Sequence, residues 1–134
     1  MARANVSDRP LVLCADDDED ILTLVAIRLE RAGFEVATVG DGEEAVAVAR
    51  ERRPSVLVLD VMMPKRTGLE VLAAVRADPS LADLKVILLS ARVQEADIQR
   101  GVGAGADAYL AKPFRSQDLV ATVEQLARAY ETRR

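Results

Sequence analysis

The chain has 134 residues, half of them hydrophobic and 30% charged, which is enough for one folded core and too apolar for a disordered chain. It contains no histidine and one cysteine, so Ser-His-Asp and Cys-His catalysis, His-ligated zinc and an internal disulfide are excluded. A net charge of -4, from 18 basic and 22 acidic side chains, with 3% aromatics, argues against nucleic-acid binding by this domain.

No apolar run reaches membrane-spanning length, so a cytoplasmic chain with no membrane contact is expected. Residues 1–10 are polar and read as an N-terminal tail. Leu11–Ala15 is a short apolar run ending in acids, the pattern of a strand buried on both faces. Cys14 lies inside it and is expected to be buried and inert. Ile21, Leu24, Val25 and Leu29 recur at helical spacing until Gly33 stops the helix, and residues 34–39 read as a second strand.

Asp41 followed by Glu44 predicts a capping box for a helix running to about Arg52 and ended by Pro54. Residues 56–59 are the most strand-like in the chain. After the loop 60–67, Thr67 and Glu70 form a second box, opening a helix with Leu69, Leu72 and Val75 that Asp78-Pro79 breaks. Residues 86–89 are a fourth strand. A helix from about Gln94 runs into the glycine-rich stretch 101–105, and residues 108–111 are a fifth strand. Leu119, Val123, Leu126 and Tyr130 stripe a last helix, which the tail 131–134 continues. Strands alternating with helices predict one α/β domain over 11–130, a five-stranded parallel sheet with helices on both faces.

In such a sheet, ligands bind beyond the carboxyl ends of the strands. Those ends carry Asp16-Asp17, Asp60, Ser90 and Lys112, while the second strand ends in Gly40-Asp41-Gly42, a turn with no chemical group beyond its cap. Two full charges about 5 Å apart repel by about 3 kcal/mol at an effective dielectric near 20, so three crowded carboxylates call for a cation. An all-oxygen site suits Mg²⁺ or Mn²⁺ over Zn²⁺. A carboxylate is also a competent nucleophile for phosphoryl transfer, a reaction that otherwise needs charge neutralisation and positioning. The blander alternative for the 16–20 run is a solvated helix start favoured by the helix dipole.

Other motifs fail on context. Asp16, Asp18 and Asp20 mimic a calcium loop, but Ile21 stands at its glycine position and Ile27 at its glutamate position. The glycines of 101–105 follow a helix and precede a strand, the reverse of a dinucleotide fingerprint. No P-loop occurs. An aspartate-nucleophile phosphatase, the alternative use of this edge as an enzyme, usually has Asp-x-Asp, and Met62 fills the second position.

Four motifs together resemble the response-regulator receiver family of two-component signalling. They are Asp16-Asp17-Asp18-Glu19, the stretch Val58-Leu59-Asp60-Val61-Met62-Met63-Pro64 with Gly68, Leu89-Ser90-Ala91, and Gly105-Ala106-Asp107 through Lys112-Pro113-Phe114. The resemblance runs from Leu11 to about Arg128 and implies a flavodoxin-like (βα)5 fold that signals rather than turns over substrate. It implies Asp60 as phosphoacceptor, with Mg²⁺ held by Asp17, Asp60 and the backbone carbonyl of Met62, and with Asp16 acting partly through water. It further implies that Lys112 and Ser90 contact the phosphoryl group, that Tyr109 is the switch aromatic, and that the Lys112–Pro113 bond is cis. The implied partners are a histidine kinase or phosphotransfer protein upstream and a downstream protein or attached output domain, with a phosphorylation-dependent dimer as a further implication. The chain departs from the branch with winged-helix outputs at Ala108, Thr122 and Ala129, where that branch carries an acid and arginines that tie a dimer together.

Overall fold

The computed structural model describes residues 9–91, 103 and 105–133. Five parallel strands lie in the order β2-β1-β3-β4-β5, where β1 is Leu11–Ala15, β2 Glu35–Val39, β3 Val56–Asp60, β4 Lys85–Ser90 and β5 Ala108–Ala111. Side chains alternate across the central strands. Val12, Cys14, Val56, Val58, Ile87 and Leu89 face α1 (Glu19–Arg31) and the C-terminal helix (Ser116–Arg133), meeting Val25, Leu29, Leu119 and Val123. Leu13, Ala15, Leu57, Leu59, Val86 and Leu88 face α2 (Gly42–Arg52) and α3 (Gly68–Ala77), meeting Ala45, Ala49, Val71 and Leu72. Each buried Val, Leu or Ile among these contributes about 1.5–3 kcal/mol by leaving water, and both faces of the sheet carry them. The five-stranded parallel sheet expected from the strand–helix alternation is therefore present, in the flavodoxin-like order that the resemblance implied. The helix expected from about residue 94, most of its glycine-rich stop and residues 1–8 lie outside the described residues.

Local chemistry explains where the boundaries differ from expectation. β2 starts at Glu35 rather than Phe34 because the Phe34 N–H still belongs to the α1 cap, donating to Leu29 O at 3.1 Å. Gly33, at φ +102, makes that reversal, and its N–H donates to Glu30 O at 3.0 Å. At α3 the Thr67–Glu70 box closes as expected. At α2 only half the box forms: Asp41 Oδ1 accepts from Glu44 N–H at 2.9 Å, but Glu44 Oε1 reaches one residue further back, to Gly40 N–H at 3.1 Å. α2 ends on Arg53 in the left-handed region at φ 49, just before Pro54.

The base of the sheet is held by a side chain that no motif announced. From the last turn of α3, Arg76 donates to Leu84 O at 2.6 Å, Gly105 O at 2.9 Å and Asp107 Oδ2 at 2.9 Å. Asp107 Oδ2 in turn accepts from Val86 N–H at 2.8 Å, so one ion pair fixes the starts of β4 and β5.

Candidate functional site

The chain runs outward from β1 to β2 and then crosses back to β3, so the sheet order reverses between β1 and β3. Ala15 pairs with Leu59 in register, which makes Asp16 and Asp60 neighbours at the open end of that crevice. Asp16 is 2% exposed and Asp60 5%, whereas Asp17, the next residue along, is exposed. A carboxylate oxygen from each of Asp16, Asp17 and Asp60 lies within 4.8 Å of the others. Among the described residues this is the one such cluster of acids.

Lys112, just past β5, closes the cluster. Its Nζ is 2.9 Å from Asp16 Oδ2 and 3.2 Å from Asp60 Oδ2. The other oxygens of Asp16 and Asp60 are tied to backbone: Asp16 Oδ1 accepts from Asp18 N–H at 2.9 Å, and Asp60 Oδ1 from Met62 N–H at 3.3 Å. Asp18 is the α1 cap, accepting from Asp20 and Ile21 N–H, so the acidic run divides between capping and the site.

Burial raises the Asp60 carboxyl above its ordinary value, and the charge of Asp16 adds to that, outweighing the ammonium of Lys112 and the Met62 N–H. Burial is also the largest single influence on Lys112 and would lower it. The hydrogen bond to Asp16 and the charges of Asp60 and Asp16 together overcome burial, and the ammonium is raised. One cation thus faces two buried carboxylates and does not fully neutralise them. The donor set is all oxygen, two-thirds buried and open on the Asp17 side, which fits a hard divalent cation.

The other expected residues sit around this cluster. Ser90 is buried at the end of β4, and its carbonyl accepts from Lys112 N–H at 2.8 Å. Leu89, its neighbour, pairs with Asp60 across the ladder. Tyr109 is half-buried opposite Leu88, on the face of the sheet that packs α2 and α3. Met62 leaves the site with its side chain out in solvent, 63% exposed. The Lys112–Pro113 bond is cis. Cys14 is buried beneath the site, and burial, followed by the charge of Asp16, pushes its thiol up to about 12.

Residues 12–124 match the family described as the response regulator receiver domain. The chain belongs to the response-regulator receiver family. This receiver is 47% identical over 119 residues to the transcriptional regulatory protein PrrA of Mycobacterium tuberculosis, covering 89% of the chain and 50% of that protein. It is 39% identical over 120 residues to the alkaline phosphatase synthesis transcriptional regulatory protein PhoP of Bacillus subtilis, covering 90% and 49%. The receiver thus spans about half the length of the curated relatives it matches. Its fold is similar to the receiver domain of Francisella response regulator 1452, with a TM-score of 0.86 and 32% identity over 90% of this chain and 98% of that one.

A receiver with an acidic triad is a phosphoacceptor signalling module, not the phosphatase considered from sequence. The departures at Ala108, Thr122 and Ala129 coexist with high identity to regulators named as transcriptional. Among the described residues no helix is long and apolar enough to cross a membrane. Gly42 and Arg76 are the structurally engaged residues that motif reasoning passed over; Gly42 was legible only as part of a turn, and Arg76 gave no signal.

Proposed function

We propose that this receiver takes a phosphoryl group on Asp60 from the phosphohistidine of a histidine kinase or phosphotransfer protein. Mg²⁺, or Mn²⁺ in its place, would be held by Asp16, Asp17, Asp60 and the backbone carbonyl of Met62. The observation that carries this reading is the meeting of three carboxylates with Lys112, which reaches both Asp16 and Asp60. A divalent cation supplies charge neutralisation at the phosphoryl oxygens when bound.

In the transfer, an Asp60 carboxylate oxygen forms the new O–P bond as the P–N bond to the donor imidazole breaks, and the electron pair leaves on that nitrogen. Lys112 holds its ammonium beside the reacting oxygen, and burial of Asp16 and Asp60 keeps bulk water from screening it. The product gains about -1.5 to -2 charge and three acceptor oxygens. Ser90 and Lys112 stand at the ends of β4 and β5, so their attraction to the new acceptors pulls those strand ends together. Tyr109 follows on β5 as the switch aromatic, and the face formed by β4, β5, the intervening segment and the C-terminal helix carries the signal.

The unit that does this is residues 11–130, with 1–10 and 131–134 as tails. It works in the cytoplasm and passes the signal to a downstream protein or an attached output domain, with phosphorylation-dependent dimerisation as one means. Incubation with Mg²⁺ and a small acyl phosphate, followed by intact-mass analysis and tryptic mapping, should place one phosphoryl group on Asp60. Asp60→Asn should take none; stoichiometric labelling of that variant, or mapping to another residue, would overturn the assignment.

A further inference from the structure

The turn that ends β2 presents no reactive group, yet it touches the loop that leaves Asp60. The loop 61–67 leaves Asp60, carries Met62, and returns to α3. Its far end is fixed at Gly68, whose N–H donates to Val61 O at 2.8 Å and whose missing side chain is required, since a Cβ there would lie 2.5 Å from Asp60 O. Its middle is fixed by the β2–α2 turn. Gly42 N–H donates to Pro64 O at 3.2 Å, and a Cβ on Gly42 would fall 2.5 Å from Arg66 Cβ, 2.8 Å from Arg66 C and closer still to Arg66 O. Contact at ordinary van der Waals separation needs about 3.5–4 Å between carbons, so the loop could accept that Cβ only by moving its backbone.

Gly42 is the first residue of α2 and lies outside the left-handed region, so the need for glycine here comes from the neighbouring loop and not from its own backbone conformation. The adjoining ion pair, Lys65 Nζ to Asp41 Oδ2 at 3.7 Å with Lys65 largely exposed, is too long and too wet to hold the loop. Gly40, two residues earlier in the same turn, has nothing within 4 Å of its Cβ position. Within this turn the close approach is therefore a property of Gly42 and not of Gly40.

We propose that Gly42 is a positioning residue of the cation site: by letting the 61–67 loop close onto the N-terminus of α2, it sets the height of the Met62 carbonyl above the carboxylates. This rests on the reading of Met62 as a ligand given above. Mg²⁺ demands near-octahedral oxygens at about 2.0–2.1 Å, so a loop displaced by a fraction of an ångström loses that ligand. Groups that orient ligands without touching the metal are typically worth about 10–100-fold in affinity.

The test is Mg²⁺ titration of the whole chain by calorimetry, for the wild type, Gly42→Ala and Gly40→Ala. Gly42→Ala should bind about tenfold more weakly, while Gly40→Ala binds as the wild type does. Equal affinity in wild type and Gly42→Ala overturns the inference and leaves the cation site standing. No Mg²⁺ binding by the wild type overturns the cation site itself. Should Gly42→Ala fail to fold, wild-type ¹⁵N NMR decides: the Gly42 amide should shift with Mg²⁺ at the same midpoint as the Met62 amide. A Gly42 amide that stays still while Met62 moves overturns the inference.

Discussion

Lys112 stands where two buried carboxylates would otherwise face each other, and this gives it opposite effects on two measurable quantities. Without a divalent cation it is the counter-charge for Asp16 and Asp60, at 2.9 and 3.2 Å. Removing one partner of a largely buried ion pair costs about 3–5 kcal/mol, and Lys112→Ala in chelator should fall near the lower end because the ammonium keeps some solvent access. Toward Mg²⁺ the same ammonium is a competitor of like charge, and its loss should tighten binding by about tenfold, roughly 1.4 kcal/mol of relieved repulsion at a few ångströms in a semi-buried site. Urea unfolding in chelator and calorimetric Mg²⁺ titration check the two halves; an unstable variant that also binds Mg²⁺ more weakly would contradict this account. The sequence showed that Asp16, Asp60, Ser90 and Lys112 end their strands, because strand ends follow from apolar runs and their stops. It did not show that Lys112 bridges two carboxylates, nor that of two adjacent acids Asp16 is buried and Asp17 exposed. Those depend on the register of β1 against β3, a non-local quantity.

Elements are joined here by short polar motifs at their ends, and Asp78 is the most exposed to test. It closes α3, caps the 3₁₀ turn Pro79–Leu81, and accepts from Ser80 Oγ at 2.7 Å, Ser80 N–H at 2.9 Å and Arg50 Nε at 3.2 Å. The Ser80 hydroxyl, then the Ser80 N–H, then Arg50 hold its carboxyl below the ordinary value of 3.8. A folded-state value below the unfolded one means that the ionised form stabilises the fold. That contribution is complete above the ordinary value and is lost as pH falls through the lowered one. The stability difference between wild type and Asp78→Ala, measured by denaturant midpoint, should be flat from about pH 8 to 6 and shrink below about pH 4. A difference that widens on acidification would refute it. Such local joints were partly readable: Asp78-Pro79 marks a break, and Thr67-x-x-Glu70 a helix start. The Arg76–Asp107 pair was not, because its partners are 31 residues apart and each is an unremarkable charge in its own segment. The half-formed box at α2 was misread for a related reason, since the Glu44 carboxylate follows the direction of the incoming turn, which the spacing alone does not specify.

At the scale of the whole molecule, one end of the sheet gathers excess negative charge while each face of the sheet carries a buried apolar cluster. The folded state alone brings Asp60 within 4.8 Å of the adjacent pair Asp16 and Asp17, from which the unfolded chain separates it by about 43 residues. A cation that binds this cluster therefore binds the native state and not the denatured one, and its binding energy becomes folding energy. At a free Mg²⁺ concentration of about 100 times Kd the stabilisation is about 2.7 kcal/mol, and it grows by about 1.4 kcal/mol with each further decade. For a domain of this size that corresponds to a rise in Tm of roughly 10 °C at the first level, allowing about 4 °C per kcal/mol. Thermal unfolding in Mg²⁺ against chelator, with NaCl matched for ionic strength, separates site binding from general screening. Screening acts on all 40 charged side chains alike and saturates no site. The Tm should climb linearly with the logarithm of Mg²⁺ above Kd, and NaCl should not reproduce it. Asp60→Asn, which removes one of the three charges, should reduce that slope's onset to higher Mg²⁺ while raising the Tm in chelator, because the buried crowding that the cation offsets has been lessened at its source. A variant that gains nothing in chelator and keeps the wild-type response to Mg²⁺ would mean that the cation binds elsewhere.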